Sequence, residues 1–420
     1  MRRTGLPMTS RPAIPWAILT ISLLVTYPHQ VEAQAASDAR VTTAKPGTTL
    51  VAAVTAFGAP LNGLSAANQA AFFDGKAEFS AAEEPDEGLG PVFNGPSCAF
   101  CHVQGATGGA GTLVETRFGK LTNGVFDPLG SLGGSLIQTT GIGVSGRCNY
   151  VGETVPASAT IRAGRLTTPL FGLGLINGVP SAALEAIALA QPSNVRGRTN
   201  RVLEVATGQT IVGKFGWKAQ VPTVFQFAGD AYLNEMGITT PQFPTENCPQ
   251  GDCSLLACDP LPEINGAVED DGSGVVAFSN FMTFLAPPPT VPFNANSTLG
   301  AALFVTVGCA NCHTPALATG TSSNPALNLK TFAPYSDFLL HDMGTLGDQI
   351  GGQGRATGNE MRTAPLWGAR VRTRFLHDGR AANVTDATLA HTGQGKLSRD
   401  LFNALPSAQK AQIVAFINSI

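Results

Sequence analysis

Two pentapeptides limit what this chain can fold into more than any other feature: Cys98-Ala99-Phe100-Cys101-His102 and Cys309-Ala310-Asn311-Cys312-His313. Cysteines three apart lie on one side of a helical turn, so their thiols can add across the two vinyl groups of one porphyrin. The histidine that follows reaches the iron as its proximal ligand. A single motif of this kind would compete with a zinc knuckle or a redox dithiol. Two of them, far apart and with no other Cys-x-x-Cys pair, point to two covalently bound haem c groups (iron). Cys98, Cys101, Cys309 and Cys312 are the expected attachment sites, and His102 and His313 the proximal ligands.

Haem of this kind is attached after export of the unfolded chain, and the N-terminus reads as the matching address. Arg2 and Arg3 open it, Ile14 to Tyr27 form a short apolar run, and Val31-Glu32-Ala33 supplies small residues for cleavage. Residues 1–33 are therefore read as a signal peptide, with Ala35 the next cleavage choice and a retained anchor the alternative. The mature chain is expected to be periplasmic or otherwise exported, with no membrane span after processing. Charged residues are only 13% of the chain, acidic ones slightly outnumber basic ones, and no basic run offers a nucleic-acid surface. In an oxidising compartment Cys148, Cys248, Cys253 and Cys258 are most simply structural disulfides, with three pairings open.

The Pro-rich stretch from Ala286 to Pro292 reads as a linker. It divides the mature chain into an N-terminal unit (34–286), a linker (287–296) and a C-terminal unit (297–420). In the second unit Ser297 or Thr298 can cap a helix from Leu299 to Val307 that delivers the motif. Ser407 opens a terminal helix with Ile413, Val414, Phe416, Ile417 and Ile420 on one face. An internal repeat supports two related units. Thr167-Thr168-Pro169-Leu170-Phe171-Gly172 recurs as Thr363-Ala364-Pro365-Leu366-Trp367-Gly368, and an aromatic-led loop follows each, at Phe215 and at Phe375. The expected fold is mainly α: two cytochrome c-like domains, the first with a Gly-rich strand-and-loop insertion over about 121–209.

Six histidines are present, one of them in the leader. Between His102 and His313 there is none, so the first haem has no histidine of its own domain for its sixth position. Met236 and Met282 are the local sulfur candidates there. An open position is what peroxide or oxygen chemistry needs, whereas pure electron transfer favours two filled positions. His341, His377 and His391 all follow the second motif, and Met343 competes with them as a ligand of the second haem.

Phe93-Asn94, Phe215-Gly216-Trp217, Asn234-Glu235-Met236-Gly237-Ile238, Pro334-Tyr335-Ser336-Asp337, His341-Asp342-Met343-Gly344, Arg362 to Gly368 and His377-Asp378-Gly379-Arg380 carry a wider likeness. In these segments the chain resembles the di-haem oxidoreductases labelled thiol oxidoreductase-like, within the bacterial di-haem cytochrome c peroxidase superfamily. The resemblance implies that Trp217 relays electrons between two haems and that Glu235 stands over the peroxidatic one, where cleavage of a peroxide bond needs a proton shuttle. It also implies His391 as distal ligand of the electron-transfer haem, at the place where the peroxidases carry methionine. Their distal glutamine falls on Phe227 here, with Gln226 beside it as a substitute. The implied function is a peroxidase-like oxidoreductase taking electrons from a small cytochrome or cupredoxin, with peroxide or oxygen as substrate. The alternatives are a non-catalytic di-haem electron carrier and a haem-based oxygenase or protein-modifying enzyme.

Overall fold

The computed structural model describes residues 39–261 and 267–420; the expected signal peptide lies outside them. Over the described residues the chain is 33% helix and 17% strand, a mixed protein rather than a mainly α one. The correction comes from the region after the first motif, where strands and turns outweigh helix. Along the chain, β1 (Thr49–Leu50) and α1 (Ala66–Ser80) precede the first motif, whose Cys98–Cys101 forms one helical turn. β2 (Val114–Thr122) and β3 (Ile161–Leu166) pair antiparallel, with Glu115 opposite Arg165. Then come α2 (Ser181–Ala190), the hairpin of β4 (Asn200–Glu204) and β5 (Gln209–Gly213), α3 (Val224–Met236) and α4 (Ser273–Phe284). After Pro287 the order is α5 (Ala295–Thr306), the second motif, β6 (Lys330–Phe332), β7 (Leu340–Asp342), β8 (Glu360–Arg362), α6 (Val384–Leu389) and α7 (Ser407–Ile417). α2 lies inside the stretch expected to be strand and loop. Its run Ala-Ala-Leu-Glu-Ala-Ile-Ala-Leu-Ala consists of residues that lose little in a helix, and Leu184 anchors it to the core.

The duplicated pattern is physical as well as textual. α1 crosses α4 at Gly75, where an added Cβ would collide with the Ala277 carbonyl, and α5 crosses α7 at Gly300, where it would collide with the Gln412 carbonyl. In both halves the backbones meet where a side chain has no room. Phe72, Phe79 and Phe281 fill the first crossing; Phe304, Phe402 and Phe416 fill the second, all buried. Each such ring is worth about 1.5–3 kcal/mol on burial. Gly172 and Gly368 close the two repeated turns with φ of 70° and 67°, conformations that glycine adopts without cost. The aromatic loops match too, with Phe215 bridged to Val221 and Phe375 to Ala381.

α5 starts earlier than its composition suggests. Asn294 caps it, and Ser297 returns its hydroxyl to the Asn294 N–H at 2.8 Å, a capping box in which Ser297 is the third helical residue. Packing runs across the linker. β1 pairs parallel with β6, the Tyr335 hydroxyl donates to the Ala39 carbonyl at 2.9 Å, and Leu317, Phe332, Phe338, Leu339 and Trp367 join the core built on α1, α3 and α4. Two disulfides join Cys148 to Cys258 and Cys248 to Cys253, selecting one of the three pairings. Among the described residues no helix is long and apolar enough to cross a membrane.

Candidate haem sites

Each Cys-x-x-Cys-His turn opens onto a large cavity. Space unfilled by protein atoms, mouth included, amounts to about 1160 Å³ at the first and about 1310 Å³ at the second. Cys98, Cys101 and His102 line the first; Cys309, Cys312 and His313 line the second. Ser97 caps the first turn by accepting the Phe100 N–H at 3.1 Å, which sets the two sulfurs on one side. The four motif cysteines are unpaired. Burial pushes the Cys98, Cys101 and Cys309 thiols up to about 12. A redox dithiol needs the opposite shift.

The two motif histidines are held alike. His102 Nδ1 meets the Gly109 carbonyl at 3.1 Å, and His313 Nδ1 meets the Tyr335 carbonyl at 3.0 Å. A carbonyl only accepts, so Nδ1 carries the proton and Nε2 keeps its lone pair for a metal. Burial lowers both imidazoles to about 4, which keeps them neutral.

The facing walls differ. Over the first turn stand Glu235 from α3 and Glu115 and Arg117 from β2, with Asp230 and Asn234. Arg117 Nε donates to Glu115 Oε1 at 2.9 Å, and Asn94 Nδ2 to Glu235 Oε2 at 2.8 Å. Burial pushes both carboxyls up, but the Arg117 guanidinium reverses this for Glu115 and holds it below its ordinary value. Glu235 is hydrogen-bonded to Glu115 and faces its negative charge, so burial and that charge keep it well above the carboxylate range. The two carboxyls are therefore driven apart, Glu235 up and Glu115 down. Asp230 is also raised by burial, against the pull of Arg117. Met236 and Met282 line the same cavity and are packed into the first core.

The second wall carries histidine and arginine. His391, Met343 and His377 line it with Arg362, Arg372 and Arg399. His391 Nδ1 bonds the Ala387 carbonyl of α6 at 2.8 Å, leaving Nε2 free as in the motif histidines. Met343 Cε and the His391 ring converge on Gly395, so both face the cavity. His341 is committed elsewhere: Nε2 lies 2.9 Å from Asp337 Oδ2 and Nδ1 3.7 Å from Cys312 Sγ. Burial disfavours its charge, but Asp337 outweighs that and carries it up to about 10. His377 lies against Trp217, ring centroids 6.3 Å apart.

Trp217 lines both cavities. Its indole N–H donates to the Leu166 carbonyl at 2.9 Å, and its ring is buried. Gln226 does not join the first wall: its amide bonds Val205 N–H and the Leu203 carbonyl on the β4 side, while Phe227 lines the cavity. The reason is helical phase, since adjacent residues of α3 lie about 100° apart. A haem fits what is present. Beyond the sulfurs and imidazoles, Arg372 is half-buried in the second wall, and its buried Nε lacks any hydrogen-bond partner, a donor suited to a porphyrin propionate.

Glu115, Arg117, Arg372 and Lys218, which lies beside Trp217, carry no role in the sequence reading. Glu115 and Arg117 could have been found: two residues apart on a strand, they share a face, and here that face is the cavity.

Residues 148–420 match the sequence model of a family described as "Di-haem oxidoreductase, putative peroxidase". That span contains the second motif, Trp217, Glu235 and His391; the first motif precedes it. No curated protein matches the chain. Among solved structures it is similar to the hydrazine synthase of Kuenenia stuttgartiensis, with 14% identity, TM-score 0.37, and 100% of each chain covered. It is also similar to a variant of the diheme peroxidase BthA from Burkholderia thailandensis, with 16% identity, TM-score 0.40, and 90% of this chain and 91% of that one covered.

Proposed function

The chain belongs to the di-haem oxidoreductase family, and from that premise we propose an exported, peroxidase-like enzyme with two unequal haem c sites built on two cytochrome c-like units. Cys98 and Cys101 anchor one haem and Cys309 and Cys312 the other, with His102 and His313 as proximal ligands. Bound there, the haem groups supply the two electrons of peroxide reduction, ROOH + 2 e⁻ + 2 H⁺ → ROH + H₂O.

His391 would hold the second haem's iron through its Nε2, which would make that site an electron-transfer site fed by a small cytochrome or cupredoxin. Trp217 bridges the path to the first cavity. Glu235 delivers a proton there, because it is the member of the wall pair whose proton affinity burial and the Glu115 charge raise. Glu115 and Arg117 keep Glu235 loaded, and Asn94 fixes the direction of its carboxyl. The observation that carries this reading is the hydrogen-bonded pair Glu235–Glu115 facing the first motif; among the described residues no second histidine lines that cavity. A pure carrier has no use for a buried protonated carboxyl, whereas O–O cleavage needs one beside the reacting oxygen.

The test is Glu235→Gln. It should keep both covalent haem groups and lower peroxide turnover by about 10²–10⁴-fold, measured by stopped-flow oxidation of the reduced protein with hydrogen peroxide. Turnover within a factor of a few of the unaltered protein would remove Glu235 from the mechanism.

A further inference from the structure

Directly after Trp217 stands a lysine whose charge is shut off from water. Lys218 is 0% exposed, in a residue type that is almost never fully buried without partners. Its Nζ donates to the main-chain oxygens of Thr357 at 2.8 Å, Gly358 at 3.1 Å and Glu360 at 2.7 Å, and lies 2.7 Å from Asp348 Oδ1. Asp348 Oδ2 accepts Nε and Nη2 of Arg165 at 2.9 and 2.7 Å, and both of those side chains are buried as well. Four oxygens converging on one buried positive charge, three of them carbonyls of a single short loop, form a donor set suited to a hard cation. Here the cation is tethered to the chain.

Each polar anchor of Trp217 ends on an element that this group ties down. The cage loop runs into β8, where Arg362 N–H donates to the Trp217 carbonyl at 2.8 Å and Arg362 Nε to the Gly216 carbonyl at 2.6 Å. Arg165 sits on β3 next to Leu166, the acceptor of the indole N–H. Leu166 N–H in turn bonds the carbonyl of His377, which lines the second cavity. Removing an ammonium from water costs several kcal/mol, so a buried ion pair is a poor device for stability alone. It is a good device for fixing one arrangement of three segments.

We propose that Lys218 is a positioning residue: its ammonium is a built-in cation that fills an oxygen cage and fixes the Trp217 indole between the two cavities. The proposal rests on the electron path assigned above to Trp217, and the experiment separates the two. In the holoprotein, one electron is delivered by pulse radiolysis, and its passage from the second haem to the first is followed optically. Lys218→Ala should keep both covalent haem groups and the second-haem spectrum while slowing transfer by about tenfold or more, as a displaced relay predicts. Ammonium chloride or calcium chloride should restore much of the rate in the variant and leave the unaltered protein unchanged.

Transfer at the ordinary rate in folded Lys218→Ala overturns the proposal. So does slowed transfer that neither salt restores, since the effect then belongs to lost packing of the butyl chain. Should that variant not accumulate, Asp348→Asn keeps the carbonyl oxygens and removes the cage charge. It should slow transfer in the same direction, and an ordinary rate overturns the proposal again. Absence of transfer in the unaltered protein overturns the electron path itself, and the proposal with it.

Discussion

In both cavities a histidine following a Cys-x-x-Cys turn donates Nδ1 to a main-chain carbonyl, yet the walls opposite are made of different chemistry. The first presents two glutamates, an aspartate and two arginines; the second presents three further histidines and three arginines. The difference traces to what lies between the motif and the repeated turn in each half. In the first half β2 enters there and turns Glu115 and Arg117 toward the porphyrin space. In the second half the strands at that place, β7 and β8, bring His341 and Arg362 to the wall, and the end of α6 adds His391. A duplicated floor is therefore met by two different walls, and on the proposed function these separate an acid–base site from a ligation site.

The comparison breaks most visibly at His391. Replacing it by Ala should convert the second haem from low spin to high spin with no loss of covalent haem, read from the visible spectrum. An unchanged spectrum would transfer the ligand role to Met343, which meets His391 at Gly395.

A smaller effect is expected at Glu115. Glu235 donates only while protonated, so activity is present below its pKa and lost as pH rises through it. The negative charge of Glu115, added to burial, is what holds that pKa up. Glu115→Gln should lower it, and the freed Arg117 pushes the same way, so the alkaline limb of the pH–rate profile moves to lower pH. A limb that stays in place would dissolve the pair into two independent carboxyls.

The least effect should come from the shared scaffold. Gly75→Ala and Gly300→Ala each force a methyl group against a carbonyl at a helix crossing. Each should cost about 1–3 kcal/mol in urea unfolding, with similar costs in the two halves. A large loss in one half alone would argue that the crossings are not equivalent.

The motif turns were legible because they depend on local spacing: two residues between the cysteines and a histidine next door need no tertiary information. The same holds for α7, whose buried Ile413, Phe416 and Ile417 repeat at helical intervals, and for the paired turns closed by Gly172 and Gly368. The walls were less legible because they are assembled across long distances in the chain. Glu115 meets Glu235 only because β2 and α3 border the same cavity, and Gln226, one position from Phe227, is turned away by helix geometry. Nothing local in the sequence marks Lys218 for burial; its cage comes from Asp348 and Thr357 to Glu360, more than a hundred residues on. The disulfide pairing was beyond reach for the same reason, since Cys148 and Cys258 are 110 residues apart.

The unequal walls are tested most directly by an electron paramagnetic resonance spectrum of the oxidised protein, recorded with and without hydrogen peroxide. One high-spin and one low-spin ferric signal, changing when peroxide is added, is the predicted result. Two low-spin signals indifferent to peroxide would mean that both irons are closed and would contradict the account.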